Sequence, residues 1–182
     1  MNLYEFEGKE LLKIFGIAVP KSQLLTSPKE TIKITGKLLG KAQVLFGGRG
    51  KKGLIKKDYA SLFSDDVQKV LVEEFIESRS LHYLAITYDT EVRSPVLLYS
   101  KEGGVDIEEI ETISKEPIEI LTDKLPNIST EIDKVTSKLW ELFKALDARL
   151  VEINPLSETN RGMVALDAKI VLDDDALFRH PE

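Results

Sequence analysis

The chain has 182 residues, with 31 Asp or Glu against 25 Lys or Arg, a formal net charge of −6 and no cysteine. That length suits one core or two small lobes sharing one. The composition excludes disulfides and thiolate metal sites, leaves only His82 and His180 for histidine chemistry, and offers no apolar run near the ~20 residues of a membrane span. An acidic balance also disfavours nucleic acid as a partner, because counterion release requires a dominant basic face. The N-terminus opens a charged amphipathic segment rather than a signal peptide, and the expected compartment is the cytoplasm.

Residues 2–15 place Leu3, Phe6, Leu11, Leu12, Ile14 and Phe15 at helical spacing, and Gly16 supplies a stop. Ile17–Pro20 reads as a short edge strand. Ser27-Pro28 is a helix-start signature, yet β-branched residues and Gly36 come at once after it. A strand over about 37–46 then enters Gly47-Gly-Arg-Gly-Lys-Lys-Gly53, and Leu54–Tyr59 returns, so the glycines tip a β-hairpin. Between Thr31 and Lys57 there are eight Lys or Arg and no Asp or Glu. Backbone freedom together with cations describes a phosphate cradle. The same residues also suit a mobile, solvated hairpin tip.

Lys69–Ile76, Leu81–Asp89 and Pro95–Lys101 are strand candidates, the last two forming an antiparallel pair across Thr90–Ser94. Val105–Ile110 resembles a helix start, and Pro117 and Pro126 break the stretch between it and residue 130. Thr130-x-x-Asp133 is capping-box-like and opens a helix with Ile132, Val135, Leu139, Leu142, Phe143 and Leu146 on one face, with Trp140 beside that stripe. Arg149–Pro155 and Gly162–Asp173 are the final strands, joined by the turn sequence Thr159–Gly162. Centring this hairpin between Asn160 and Arg161 sets Asn154 opposite Asp167 and Glu152 opposite Lys169. Opposed side chains lie about 4.5–5.5 Å apart at Cβ, close enough for two oxygens to share a cation. An Asp with an Asn carbonyl is hard-oxygen coordination suited to Mg²⁺ that also binds substrate phosphates. An ordinary solvated hairpin face with a Glu–Lys pair fits the same register.

Several nucleotide architectures are excluded. Gly48-Arg-Gly-Lys-Lys-Gly53 formally fits G-x-G-x-x-G, but it continues as strand rather than opening a helix. No Gly-Lys-Ser/Thr is present for a P-loop, and neither His-Arg-Asp nor Asp-Phe-Gly for a kinase. What remains is a nucleotide held between two antiparallel sheets, cations on one jaw and carboxylates on the other.

In that arrangement the sequence resembles the ATP-grasp portion of the β subunits of the succinate–CoA ligase family. The carrying stretches are Asn2–Leu11, Lys41-Ala-Gln-Val44, Gly47-Gly-Arg-Gly-Lys51, Leu71-Val-Glu-Glu74, Glu102–Glu108, Glu152-Ile-Asn-Pro-Leu156, Leu166-Asp-Ala-Lys169 and Ala176-Leu-Phe-Arg179. They occur in family order along nearly the whole chain. The ATP-citrate lyase family shares several of them.

The resemblance implies an α+β ATP-grasp fold, two lobes whose antiparallel sheets clamp a nucleotide. The chain is then a single domain over 1–182, with a lid and phosphate-loop lobe at about 21–103 and a metal-binding lobe of 1–20 with 104–182. It implies that Lys41 contacts the nucleotide phosphates and that Gly48, Arg49 and Gly50 form the phosphate loop. Glu73 and the backbone of Ile76 line the hinge that holds adenine and ribose. Asn154 and Asp167 bind Mg²⁺, and Glu152, as the catalytic carboxylate, faces a phosphohistidine loop from a partner α subunit that also carries the CoA site. In such enzymes ATP phosphorylates that histidine, the phosphoryl group passes to succinate, and CoA displaces it.

Three departures from the family stand out. Leu81 occupies a position where a second hinge glutamate is expected, and strand alternation turns His82 to the opposite face. The segments between Ser27 and Lys41, between Gly53 and Glu73, and between Val105 and Glu152 are abbreviated. A flavodoxin-like CoA-ligase module is expected after the Arg179–Glu182 linker start, as a separate chain or a missing one. These departures keep open a catalytically reduced binding or assembly module, and a citrate-lyase-like subunit, as alternatives to an active ligase.

Overall fold

A computed structural model describes residues 1–180; Pro181 and Glu182, the end of the expected linker start, lie outside the described residues. Two antiparallel sheets organise the chain. The smaller has the order β1-β4-β2-β3, from Ser22–Leu25 (β1), Leu38–Ala42 (β2), Ile55–Lys56 (β3) and Val70–Glu74 (β4). The larger runs β10-β8-β5-β6-β7, from Ser80–Asp89 (β5), Ser94–Ser100 (β6), Ser114–Pro117 (β7), Ala148–Thr159 (β8) and Lys169–Leu172 (β10), with Gly162–Ala165 (β9) also paired to β8. The helices are α1 (Glu5–Ile14) and α2 (Thr130–Ala145).

The sheets part at residues 75–79, not at 103. The β5–β6 hairpin belongs to the larger sheet because β5 pairs with β8 along its length, from Ser80↔Glu158 to Thr87↔Leu150. The expected lid lobe is therefore smaller than 21–103 by these two strands. Strand alternation explains the choice: Leu84, Ile86 and Leu97 join Val151, Ile153 and Ile170 on one apolar face. That face packs on Ile132, Val135, Leu139, Leu142 and Phe143 of α2 and on Leu12 of α1. Trp140 is buried there too, with its indole N–H donating to Asp123 at 2.8 Å. The small sheet has its own core of Leu25, Ala42, Val70 and Val72, closed by Leu62 and Val67.

Local differences have local causes. The strand expected at Ile17–Pro20 begins after the proline, at Ser22, where every residue can donate to the ladder. No helix forms after Ser27-Pro28; Glu30 instead accepts from Thr26 N at 2.7 Å and folds the segment back as a turn. The cap of α2 is Ser129, one residue earlier than expected, and Asp133 accepts from the backbone N–H groups of Ile128 (2.9 Å) and Ser129 (3.2 Å). Val105–Ile110 yields a single 3₁₀ turn at Ile107–Glu109. β7 is an additional, exposed edge strand with Pro117 at its end, where a missing donor costs nothing. The last strand divides into β9 and β10 around residues 166–168.

The turn-centred register holds on both sides of that break. Lys169 pairs with Glu152, and Ala165 with Leu156. Asn154 and Asp167 both lie at the interruption, where the backbone leaves the ladder and neither is paired.

Candidate nucleotide site

The face of the large sheet opposite its main core carries Tyr83, Ala85, Leu98, Leu150, Glu152 and Asn154. Ile110 and Ile113 cover its apolar part. The small sheet turns a matching face toward it. Lys41 on β2 and Glu73 on β4 lie on the same side, because Lys41 pairs with Leu71 and Leu39 with Glu73.

α1 completes the enclosure. Its buried residues are Glu5, Gly8, Lys9 and Leu12, a single face at helical spacing; Ile14, expected in an apolar stripe, is 75% exposed. Three anions and three cations meet between the elements. Glu5 accepts from Lys9 at 2.8 Å, from Lys41 at 3.0 Å and from Arg49. Glu73 accepts from Lys9 at 2.5 Å and Lys41 at 2.6 Å. Arg49 also donates from its Nη2 to both oxygens of Asp167, each at 2.6 Å. Lys41 donates further to the Leu166 carbonyl at 2.5 Å, and Gln43 bridges Glu5 to the Phe6 N–H.

Five of these charges are withdrawn from water. Asp167 is the exception, with its side chain 32% exposed. Burial alone would raise the Glu5 pKa, but Lys41, Lys9 and Arg49 together hold it well below the usual carboxylate range. Burial likewise opposes the charge on Lys41, and the anions Glu5, Glu73 and Asp167 outweigh it, raising the ammonium's pKa. Glu152, beside this cluster, shifts upward: burial dominates, Lys169 opposes it, and Asp167 and Glu108 add to it. Burial pushes the Tyr83 hydroxyl upward, and the Glu152 carboxylate beside it adds to the shift.

The glycine loop is a folded turn, although Gly47 and Gly50–Gly53 are exposed. Lys52 N–H donates to Gly48 O (3.2 Å), Gly53 N–H to Gly50 O (3.1 Å) and Leu54 N–H to Arg49 O (2.9 Å). Gly48 has φ +72°, a conformation that a side chain would strain. This turn aims Arg49 inward, while Lys51 reaches outward to Asp106 and Glu109, each at 2.6 Å.

Of the residues singled out in the sequence, Lys41, Arg49, Glu73 and Asp167 are brought together, with Gly48 and Gly50 flanking Arg49. Ile76 lies in the 75–79 connection between the sheets. Asn154 is turned elsewhere: its Oδ1 accepts from Gly104 N–H at 2.7 Å and its Nδ2 donates to Val105 O at 2.8 Å. Leu81 adds no polar group to the hinge. Its backbone carbonyl accepts from Gly103 (3.0 Å), whose place a larger residue could not take, since a Cβ there would sit 2.3 Å from His82 O. His82 faces away, against Ser80 and Tyr99. Glu5, Lys9, Gln43 and Tyr83 were missed by sequence reasoning. Glu5 and Lys9 carried one usable signal, an i,i+4 ion pair on the helix face that also holds Gly8 and Leu12.

Asp167 supplies a partly exposed carboxylate of the kind a hard divalent cation shared with a polyphosphate takes, whereas the Asn154 carbonyl oxygen is engaged by the Gly104 N–H. Among the described residues no group of three or more His, Cys, Asp or Glu forms a metal cage, so the rest of any coordination shell must come from substrate and water.

Residues 2–64 and 60–134 match the family model for the ATP-grasp domain. The chain belongs to the ATP-grasp family. It is 40% identical over 216 residues to the succinate–CoA ligase [ADP-forming] subunit beta of Methanocaldococcus jannaschii, covering 99% of this chain and 59% of that one. The aligned length exceeds the 182 residues here, so the relative holds segments this chain lacks, in keeping with the abbreviated stretches. Among solved structures, ATP citrate lyase from Methanothrix soehngenii in complex with citrate and coenzyme A superposes with a TM-score of 0.72 at 22% identity, over 97% of this chain and 52% of that one. The dinucleotide-forming acetyl-coenzyme A synthetase 1 of Ca. Korarchaeum cryptofilum, in complex with coenzyme A, Ca-AMPCP and HgCl⁺, does so with a TM-score of 0.72 at 16% identity, over 94% of this chain and 93% of that one. These superpositions establish the ATP-grasp fold that the sequence implied. The chain spans just under three-fifths of the length of the curated relatives it matches.

Proposed function

We propose that this chain is the nucleotide-binding part of an ADP-forming acid–CoA ligase, acting on succinate, CoA and ATP through a phosphohistidine on a partner α subunit. The observation that carries this reading is the convergence of Lys41, Arg49 and Asp167 between the two sheets, beside Glu152. Its relatives bear the name of that ligase, and no histidine is among the described side chains that meet there.

In this reading Lys41 and Arg49 take the negative charge of the ATP phosphates, with the backbone of Gly48 and Gly50 close against them. Asp167 and Asn154 would hold Mg²⁺, which would supply charge to neutralise the phosphates. Arg49 exchanges Asp167 for phosphate as the nucleotide enters. Glu73 steadies Lys41 from the hinge side, and the 75–79 connection around Ile76 receives the base. Glu152, beside Tyr83 on the same sheet face, faces the incoming histidine. Catalysis of this kind is positioning and charge stabilisation. The CoA site and acid-binding groups belong to the α subunit and to a CoA-ligase module. The compartment we assign is the cytoplasm, supported by the absence of cysteine; no described helix is long and apolar enough to cross a membrane.

Leu81 favours a second reading, a reduced ATP-grasp module that binds or assembles without turnover, because an apolar side chain stands at the hinge. Titration calorimetry with Mg-ATP tests the first reading: binding is expected, and lost in Lys41→Ala and Asp167→Asn. A flat titration with the wild-type chain would overturn it. Succinyl-CoA formation on adding α subunit and CoA module eliminates the non-catalytic reading. Citrate or another acid replacing succinate in that assay would instead indicate a citrate-lyase-like or different acyl-CoA ligase.

A further inference from the structure

Glu5 has no part in the proposed nucleotide roles, yet it is the carboxylate to which all three cations of the cluster are bonded. Glu73 holds Lys9 and Lys41, and Asp167 holds Arg49; only Glu5 links Lys9, Lys41 and Arg49 together. Its side chain is 2% exposed, and it is anchored on the first turn of a helix rather than on a loop. Four donors surround its two oxygens, the fourth being Gln43 at 3.3 Å. Asp167, by contrast, lies at a break in the ladder with a third of its side chain exposed.

The two anions that Arg49 touches therefore differ in kind. Asp167 can be exchanged for phosphate, since water reaches it. Glu5 is held by partners on every side and stays. We infer that Glu5 is a positioning residue of the phosphate cradle, a fixed internal counter-anion that keeps Lys41 and Arg49 convergent while phosphate takes over the place of Asp167. This rests on the nucleotide-binding reading proposed for the site.

Charge counting alone gives the opposite expectation, since removing an anion leaves the cradle more positive. The geometry decides against it. A buried cation that loses its partner turns toward the remaining carboxylates or toward water. Lys41 would then close on Glu73, and Arg49 would depend on the exposed Asp167 alone. Position is lost faster than attraction is gained.

The test uses the full chain and competition of ATP and of adenosine against a fluorescent ATP analogue, for wild type, Glu5→Asp and Glu5→Gln. Gln keeps the shape and removes the charge; Asp keeps the charge and shortens the reach. ATP affinity is expected to fall about tenfold in Glu5→Gln, the equivalent of one charge-assisted hydrogen bond, with adenosine affinity changing less than about twofold. Glu5→Asp falls between it and wild type. A purely structural Glu5 would lower the melting temperature and leave the ATP-to-adenosine ratio of the folded protein unchanged. An unchanged ratio, or tighter ATP binding by Glu5→Gln, overturns the inference while the nucleotide reading stands. Failure of the wild-type chain to bind ATP overturns that reading and this inference with it. Should Glu5→Gln not fold, Glu5→Asp decides alone: a lower ratio supports the assignment and an equal one refutes it.

Discussion

The glycine loop is tied down at two points, and the two ties are built differently. Arg49 reaches inward to Glu5 and Asp167 within a cluster of compensated charges, nine-tenths withdrawn from water on its own account. Lys51, two residues on, reaches outward to Asp106 and Glu109, with more than two-fifths of every partner exposed. Both meet their partners at hydrogen-bond distance. The contrast shows that distance does not rank ion pairs: the environment does. In the interior a lost partner leaves a charge that nothing else solvates, whereas at the surface water replaces it.

The sharpest way to break that contrast is Lys9→Met, which keeps most of the side chain's length and removes one of the two cations that join Glu5 to Glu73. Two buried carboxylates then share Lys41 and Arg49. The expected loss is roughly 3–5 kcal/mol of unfolding free energy, the scale for breaking a buried pair from one side. Urea denaturation followed by circular dichroism measures it, and a loss below about 1 kcal/mol would mean that the cluster is solvated like the surface tie. A second substitution sharpens the result: Lys9→Met with Glu73→Leu should recover part of the loss, because removing both sides of a buried pair costs less than removing one.

What the sequence made legible divides along the same line. The Thr159–Gly162 turn set the β8–β9–β10 register from local chemistry, and Lys169↔Glu152 confirms it. The glycine loop and its hairpin were readable because Gly and the cation run are local signals, and Lys41↔Ile55 bears out the pairing. Glu5 and Lys9 were not readable in that way. Charged residues on a helix ordinarily mark its solvated face, and only long-range partners on β2, β4 and the glycine loop reverse that rule. The lobe boundary failed for a related reason. The β5–β6 hairpin is closer in sequence to β4, but its apolar alternation matches β8, which lies far later in the chain. Asn154 shows the limit of register itself: the pairing predicts which residue it faces, while the side chain bonds Gly104 and Val105 from another loop.

An intermediate case is Arg49→Lys. The charge is kept, but an ammonium cannot bridge Glu5 and Asp167 as a planar fork does. One charge-assisted hydrogen bond set is forfeited, for an expected loss of roughly 1.5–3 kcal/mol. Thermal unfolding at matched buffer conditions reads this directly. If Arg49→Lys proves as costly as Lys9→Met, geometry counts for as much as charge in this interior; if it is silent, the fork has no energetic role and the cluster needs only a cation.

The smallest effect belongs to Lys51→Ala. Its two partners already stand in water, so the substitution exchanges one solvated arrangement for another, and ordering a long lysine side chain against them offsets much of the attraction. The denaturation midpoint should not move measurably at physiological salt, and any difference seen at low ionic strength should vanish as the Debye length shortens. The same substitution should, however, accelerate tryptic cleavage after Lys52, because the outer end of the loop has lost its tie to the 106–109 segment while Arg49 still holds the inner end. A midpoint shift comparable to that of Arg49→Lys would show that the outer tie is coupled to the buried cluster through the loop's own backbone hydrogen bonds. The two ties would then act as one unit despite their different surroundings.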